Sequence, residues 1–171
     1  MRRLIAAFAL LALVGVSEGC RRKKKANARE DGLASVVNVA DPADSAQLVR
    51  GFSNVEADAW RWSTSKFSVV LRPPAGAAQN GAKLQLVFTL HDAVVNKLGP
   101  VTVNATVNGT PVGAETFSTP GDYTYSHEVP ASALSSDVVT VEFTTDKSLA
   151  PTEQDKRELA LIVKTVGLVS K

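Results

Sequence analysis

The chain has 171 residues, a length that suits one domain with a leader and argues against a multidomain enzyme. With 44% hydrophobic and 21% charged residues it is neither a polytopic membrane protein nor a disordered polar chain, and its one cysteine excludes an internal disulfide. The net charge of +2 is unevenly spread: residues 1–25 hold seven Lys/Arg and one acid, leaving twelve bases against sixteen acids, a net −4, in residues 26–171. Nucleic-acid binders carry their cations on the folded surface, so no nucleic-acid partner is expected.

The chain opens with a short positive stretch, Met1, Arg2 and Arg3, followed by 13 uninterrupted apolar residues, Leu4 to Val16. A membrane-spanning helix needs about 20, so this is the length of a signal-peptide core. Small residues then stand one and three positions before Cys20, which places cleavage after residue 19 and makes residues 1–19 the signal peptide. Gly19-Cys20 at this position resembles the lipobox of bacterial lipoproteins, with Ser17 where Leu or Val is usual and Glu18 where a small residue is usual. The resemblance implies acylation of Cys20 and a membrane-anchored envelope protein; the alternative is plain secretion with a terminal thiol. Five cations follow, Arg21, Arg22, Lys23, Lys24 and Lys25. Against anionic headgroups each is worth about 1 kcal/mol, and an acyl group with a basic run supplies the two signals that stable anchoring needs. Residues 26–45 are rich in Ala, Asp, Asn and Ser without a sustained period, so residues 20–45 are expected to form a lipidated tether.

From residue 46 onward, β-branched and aromatic runs alternate with turn residues. Strands are expected near 47–52, 59–62, 66–72 and 83–90, the last with Leu84, Leu86, Phe88 and Leu90 on one face. Residues 100–107 and 110–117 flank Asn108-Gly109, which supplies the two positive φ values of a type I′ hairpin turn. Residues 122–129 and 137–145 follow, with a helical turn at 130–134 between them, and 161–169 close the fold. Eight or nine strands in residues 46–171 predict an all-β fold, a two-sheet antiparallel sandwich of jelly-roll type.

Gly51-Phe52, Glu56, Trp60-Arg61-Trp62, Pro73-Pro74, the alternation ending in Val107-Asn108-Gly109, Val129-Pro130 and Asp155-x-Arg157-Glu158-Leu159 together resemble a poorly characterised β-sandwich module. Modules of this kind occur in bacterial cell-envelope proteins and appended to envelope glycosyltransferases. The resemblance implies a sandwich and an envelope setting, and it carries over no catalytic residue.

Trp60 and Trp62 share a strand face with Arg61 opposite. As coplanar indoles they would stack on sugar rings; alternatively they close the edge of the core. Tyr123, Tyr125 and His127 form a second stripe, either half-buried sheet surface or the lining of a polar groove. Arg157 reads as an ion-paired corner with neighbouring carboxylates, or with Arg61 as a clamp for an anionic sugar or phosphate. There is no metalloprotease, nucleophile-elbow or phosphate-loop motif, so no catalytic residue and no cofactor are expected, with a structural Ca²⁺ on loop carboxylates as the one metal considered. The functional expectation is a non-catalytic envelope lipoprotein that binds polysaccharide or an envelope protein. The alternatives are a secreted carbohydrate-active hydrolase and a structural or assembly subunit.

Overall fold

The computed structural model describes residues 32–171. The expected signal peptide, Cys20 and the basic run from Arg21 to Lys25 lie outside the described residues. Among the described residues there are nine strands: β1 (Val36–Asn38), β2 (Leu48–Phe52), β3 (Arg61–Leu71), β4 (Ala82–Leu90), β5 (Val101–Val107), β6 (Thr110–Phe117), β7 (Gly121–Val129), β8 (Val139–Thr145) and β9 (Ile162–Ser170). Every pairing between them is antiparallel. They form the expected two-sheet sandwich of jelly-roll type. One sheet runs β6-β5-β8-β3-β2 and the other runs β7-β4-β9, with β1 and the start of β3 lying end to end along the free edge of β9.

Strict alternation builds the core. Ala82, Leu84, Leu86, Phe88 and Leu90 of β4 face Val101, Val103, Ala105 and Val107 of β5 and Val139, Val141 and Phe143 of β8 across the interior, all buried. Phe67 stacks on Phe143 with ring centroids 5.0 Å apart and near-parallel planes. The β5–β6 turn has φ of 48° at Asn108 and 78° at Gly109, the values a type I′ turn requires.

Two expectations change. The strands expected at 59–62 and 66–72 are one, because β3 passes from sheet to sheet: Arg61 and Trp62 pair with β9, and Lys66 to Leu71 pair with β8. The polar stretch Ser63-Thr64-Ser65 lies at the changeover. The later part of the stretch expected as a tether, residues 36–45, is folded. β1 pairs with β9 over three positions, Val37 and Val39 are fully buried, and residues 42–47 form a 3-10 turn capped by Asp41. Gln47, 1% exposed, clamps this segment: its Nε2 donates to the carbonyls of Ala34 (3.0 Å) and Val70 (2.7 Å), and its Oε1 accepts from Ala34 N (2.8 Å).

Candidate functional site

At the end of the sandwich where β2 finishes and β3 begins, the β8–β9 connection crosses over the start of β3. It is pinned there by Ser63, whose carbonyl accepts from Ala160 N (2.9 Å) and whose amide donates to Leu161 O (2.8 Å). A two-way bridge between Leu149 and Leu159 closes the loop's base. Between this loop and β2 lies an open cleft of about 320 Å³ lined by Gly51, Phe52, Ser53, Trp62, Thr64, Arg157 and Glu158.

Its rim is fixed by charge. Arg157 donates from Nε and Nη2 to Asp155 and from Nη1 to Glu56 Oε1 (2.5 Å), which is the ion-paired corner form of the expectation. These bonds, the side-chain ones foremost, hold the Asp155 carboxyl at about 2, and its two acidic partners raise the Arg157 guanidinium above its ordinary value. Glu158 accepts from Ser148 Oγ (2.7 Å) and Ser65 N (3.0 Å), both at Oε1, and these bonds keep its carboxyl below the usual range. Glu56 is itself presented by a tight turn in which Ala57 and Asp58 both hold φ near +50°, joined by Glu56 N to Trp60 O (2.9 Å). Asp155 provides a direct check on this corner. Its carboxyl is expected to titrate near 2 by carbon-detected NMR, and near the ordinary aspartate value of about 3.9 in Arg157→Gln. Because the folded value is depressed, the corner's contribution is complete above the ordinary value and disappears as pH falls through about 2. A wild-type midpoint near 4 would mean that the fork pairing does not form in solution.

The other expected site residues are placed differently. Trp60 and Trp62 touch edge to face, at 6.3 Å and 87°, so a coplanar indole platform does not form. Trp62 is 8% exposed and packs against His91, reaching the cleft as part of its wall, whereas Trp60 is half-buried outside the lining. Arg61 is a buckle: its Nε donates to Val39 O and its Nη1 to Ser53 O, both at 2.7 Å, so it does not converge with Arg157 on an anion.

The Tyr123–Tyr125–His127 stripe faces inward and closes the β6–β7 side. Tyr125 is fully buried, its hydroxyl donating to Gly113 O (2.8 Å), and burial, with a smaller effect from Glu115, pushes that hydroxyl up to about 12. The Tyr123 ring leans on Phe117 (4.7 Å) and its hydroxyl meets Thr119. His127 lies over Gly113 with Nε2 3.5 Å from Glu115 Oε2. None of the three lines the cleft. Conversely Phe52 and Thr64 line it without having been singled out, Phe52 lying within a segment that carried the resemblance, while Glu158, a neighbouring carboxylate of the expected corner, bonds Ser148 and Ser65 instead of Arg157. Among the described residues no three His, Cys, Asp or Glu side chains are grouped to hold a metal ion.

No protein-family model matches the chain, and no curated protein matches it. Solved structures do. One is a carbohydrate-binding module described for specific mannan recognition, 13% identical over 81% of this chain and 97% of that one, with a TM-score of 0.48. A family 35 carbohydrate-binding module from Clostridium thermocellum is 12% identical over 79% and 98%, at 0.44. An acetyl xylan esterase from the rumen bacterium Butyrivibrio proteoclasticus is 10% identical over 81% of this chain and 33% of its own, also at 0.44. Likeness at this level bears on neither site nor ligand.

Proposed function

We propose that the sandwich is a non-catalytic glycan-binding module carried on an exported, membrane-anchored lipoprotein, and that the Phe52–Trp62–Glu158 cleft is its binding site. The observation that carries this reading is the cleft's composition: an aromatic wall beside a carboxylate and a guanidinium already locked in place by their own hydrogen bonds. Sugar rings present apolar faces to aromatic walls and hydroxyls to fixed polar groups, and a rim that is ordered beforehand lowers the cost of binding. The leader, Cys20 and the basic run support the anchored, exported setting.

A hydrolase on this scaffold fits the cleft less well. Glycoside hydrolysis needs two free carboxyl groups, one with a raised proton affinity, whereas Glu158 alone among the lining residues is acidic and its affinity is lowered. An assembly role finds little support either, since the large exposed apolar residues among those described are three single valines, Val36 on β1, Val49 on β2 and Val138 just before β8.

The test uses Trp62 as reporter in a Trp60→Phe background, which leaves one indole of the chain's two. Titration with soluble mannan, xylan and β-glucan is expected to shift the fluorescence saturably for at least one. Phe52→Ala and Glu158→Gln are each expected to weaken that binding about tenfold or more, the second without loss of melting temperature because the amide oxygen still accepts from Ser65 and Ser148. Undiminished binding by both variants, or no binding across the panel, refutes the reading.

A further inference from the structure

A second concavity lies away from this cleft, on the solvent face of the β3–β8–β5 sheet. It encloses about 290 Å³ and is lined by Arg50, Lys66, Asn104, Thr106, Glu142 and Thr144, with the backbone of Ala105. Pairing register arranges these side chains in two rows. Lys66, Thr144 and Asn104 are direct cross-strand neighbours, and so are Ser68, Glu142 and Thr106 one step along, with Arg50 opposite Ser68 on β2. Arg50 and Glu142 flank Ser68 and join above it, Nη2 to Oε1 at 2.5 Å, which leaves Ser68 2% exposed and walls one end of the groove. Each row crosses three strands, about 10 Å, the span of a disaccharide.

The chemistry differs from that of the cleft. No aromatic ring lines the groove, so ring stacking is not available there. Two cations face one carboxylate; Arg50 spends a single contact on Glu142, and Lys66 is exposed and makes no ion pair among the described residues. The floor is amide and hydroxyl, and one of those hydroxyls, Thr106 Oγ1, is buried with no hydrogen-bond partner.

We infer that this groove is a second glycan site, one for acidic polysaccharide: a uronate carboxylate sits between Lys66 and Arg50 while ring hydroxyls meet Asn104 and Thr144. The inference extends the glycan-binding reading to a different site and a different ligand class. A carboxylate held by ammonium and guanidinium gains charge-assisted bonds that a neutral sugar cannot make.

The experiment is affinity electrophoresis of the full chain, with Arg21, Arg22, Lys23, Lys24 and Lys25 all replaced by serine so that the basic run contributes nothing. The gels contain polygalacturonate, its methyl ester or poly-glutamate. Retardation is expected by polygalacturonate alone, and the Arg50→Gln/Lys66→Gln double variant is expected to bind about tenfold more weakly at an unchanged melting temperature, since Glu142 is solvated without its partner. Phe52→Ala is expected to leave this binding intact. Equal retardation by poly-glutamate means a general polyanion surface and overturns the inference, as does equal retardation by the methyl ester. If Phe52→Ala abolishes binding and the double variant does not, acidic chains occupy the cleft: the groove proposal falls and the glycan-binding reading stands. Absence of binding to polygalacturonate overturns the groove alone when the neutral panel binds the cleft, and both readings when it does not.

Discussion

A chain trimmed to begin at residue 46 is expected to unfold with about 3–6 kcal/mol less resistance than one trimmed to begin at residue 32. The difference rests first on Val37 and Val39, both fully buried, since complete burial of a valine side chain contributes about 1.5–3 kcal/mol. Deleting residues 32–45 also releases their ordering cost, but it strips partners from groups that remain. Gln47 loses both bonds to Ala34 while its amide stays inside, Arg61 loses the Val39 carbonyl, and β9 loses the acceptor of Leu168 N at Ser35 (2.8 Å). Buried polar groups left without partners cost about 1–3 kcal/mol each, a loss in the same direction as that of the two valines. Urea unfolding of the two chains measures the difference directly. Coincident midpoints would mean that β1 is an ornament on the sandwich and that the domain begins at residue 46 after all.

That boundary was hidden from the sequence for a physical reason. Val36-Val37-Asn38 is too short to show a period, and its neighbours share the Ala, Asp and Asn of a linker; what folds it is a partner 129 positions away, Val37 against Val166. The middle strands were legible because each is long enough to alternate, and Asn108-Gly109 announced its turn by backbone chemistry alone. Alternation reports which residues share a face but not which face points inward. Trp60 with Trp62, and Tyr123 with Tyr125 and His127, are correctly grouped by parity, yet Trp62 and Tyr125 face the core. Arg157 was readable as an ion-paired corner because Asp155 is two residues away, whereas its second partner, Glu56, comes from 101 positions earlier and only the fold brings it in. The groove on the β3–β8–β5 sheet was invisible at the sequence level, since Arg50, Lys66, Asn104 and Glu142 come from four strands and no local pattern links them.

Gly51→Ala is expected to cost about 3–5 kcal/mol and to lower the melting temperature by roughly 10–20 °C. Gly51 sits in β2 with φ of +79°, where the pairing with β3 slips register between Leu48 and Arg50 and again between Arg50 and Phe52. A Cβ there would lie 2.3 Å from Lys66 O and 2.7 Å from the Phe67 Cα and Cβ, atoms of β3, which is held on its other side by β8 and cannot swing aside. The left-handed backbone contributes about 1–3 kcal/mol of this and the overlap a similar amount. Gly99→Ala separates the two contributions, because Gly99 has nearly the same φ, +75°, with nothing within 4 Å of the added carbon; its loss should reflect backbone strain alone. The functional consequence follows from position. Gly51 places Arg50 at the groove and Phe52 in the cleft, one on either side, so lifting β2 weakens neutral and acidic glycan binding together. Phe52→Ala and Arg50→Gln each remove a side chain from one site, and a Gly51→Ala protein that melts within a few degrees of wild type, or that loses only one of the two activities, would show that β2 does not set both.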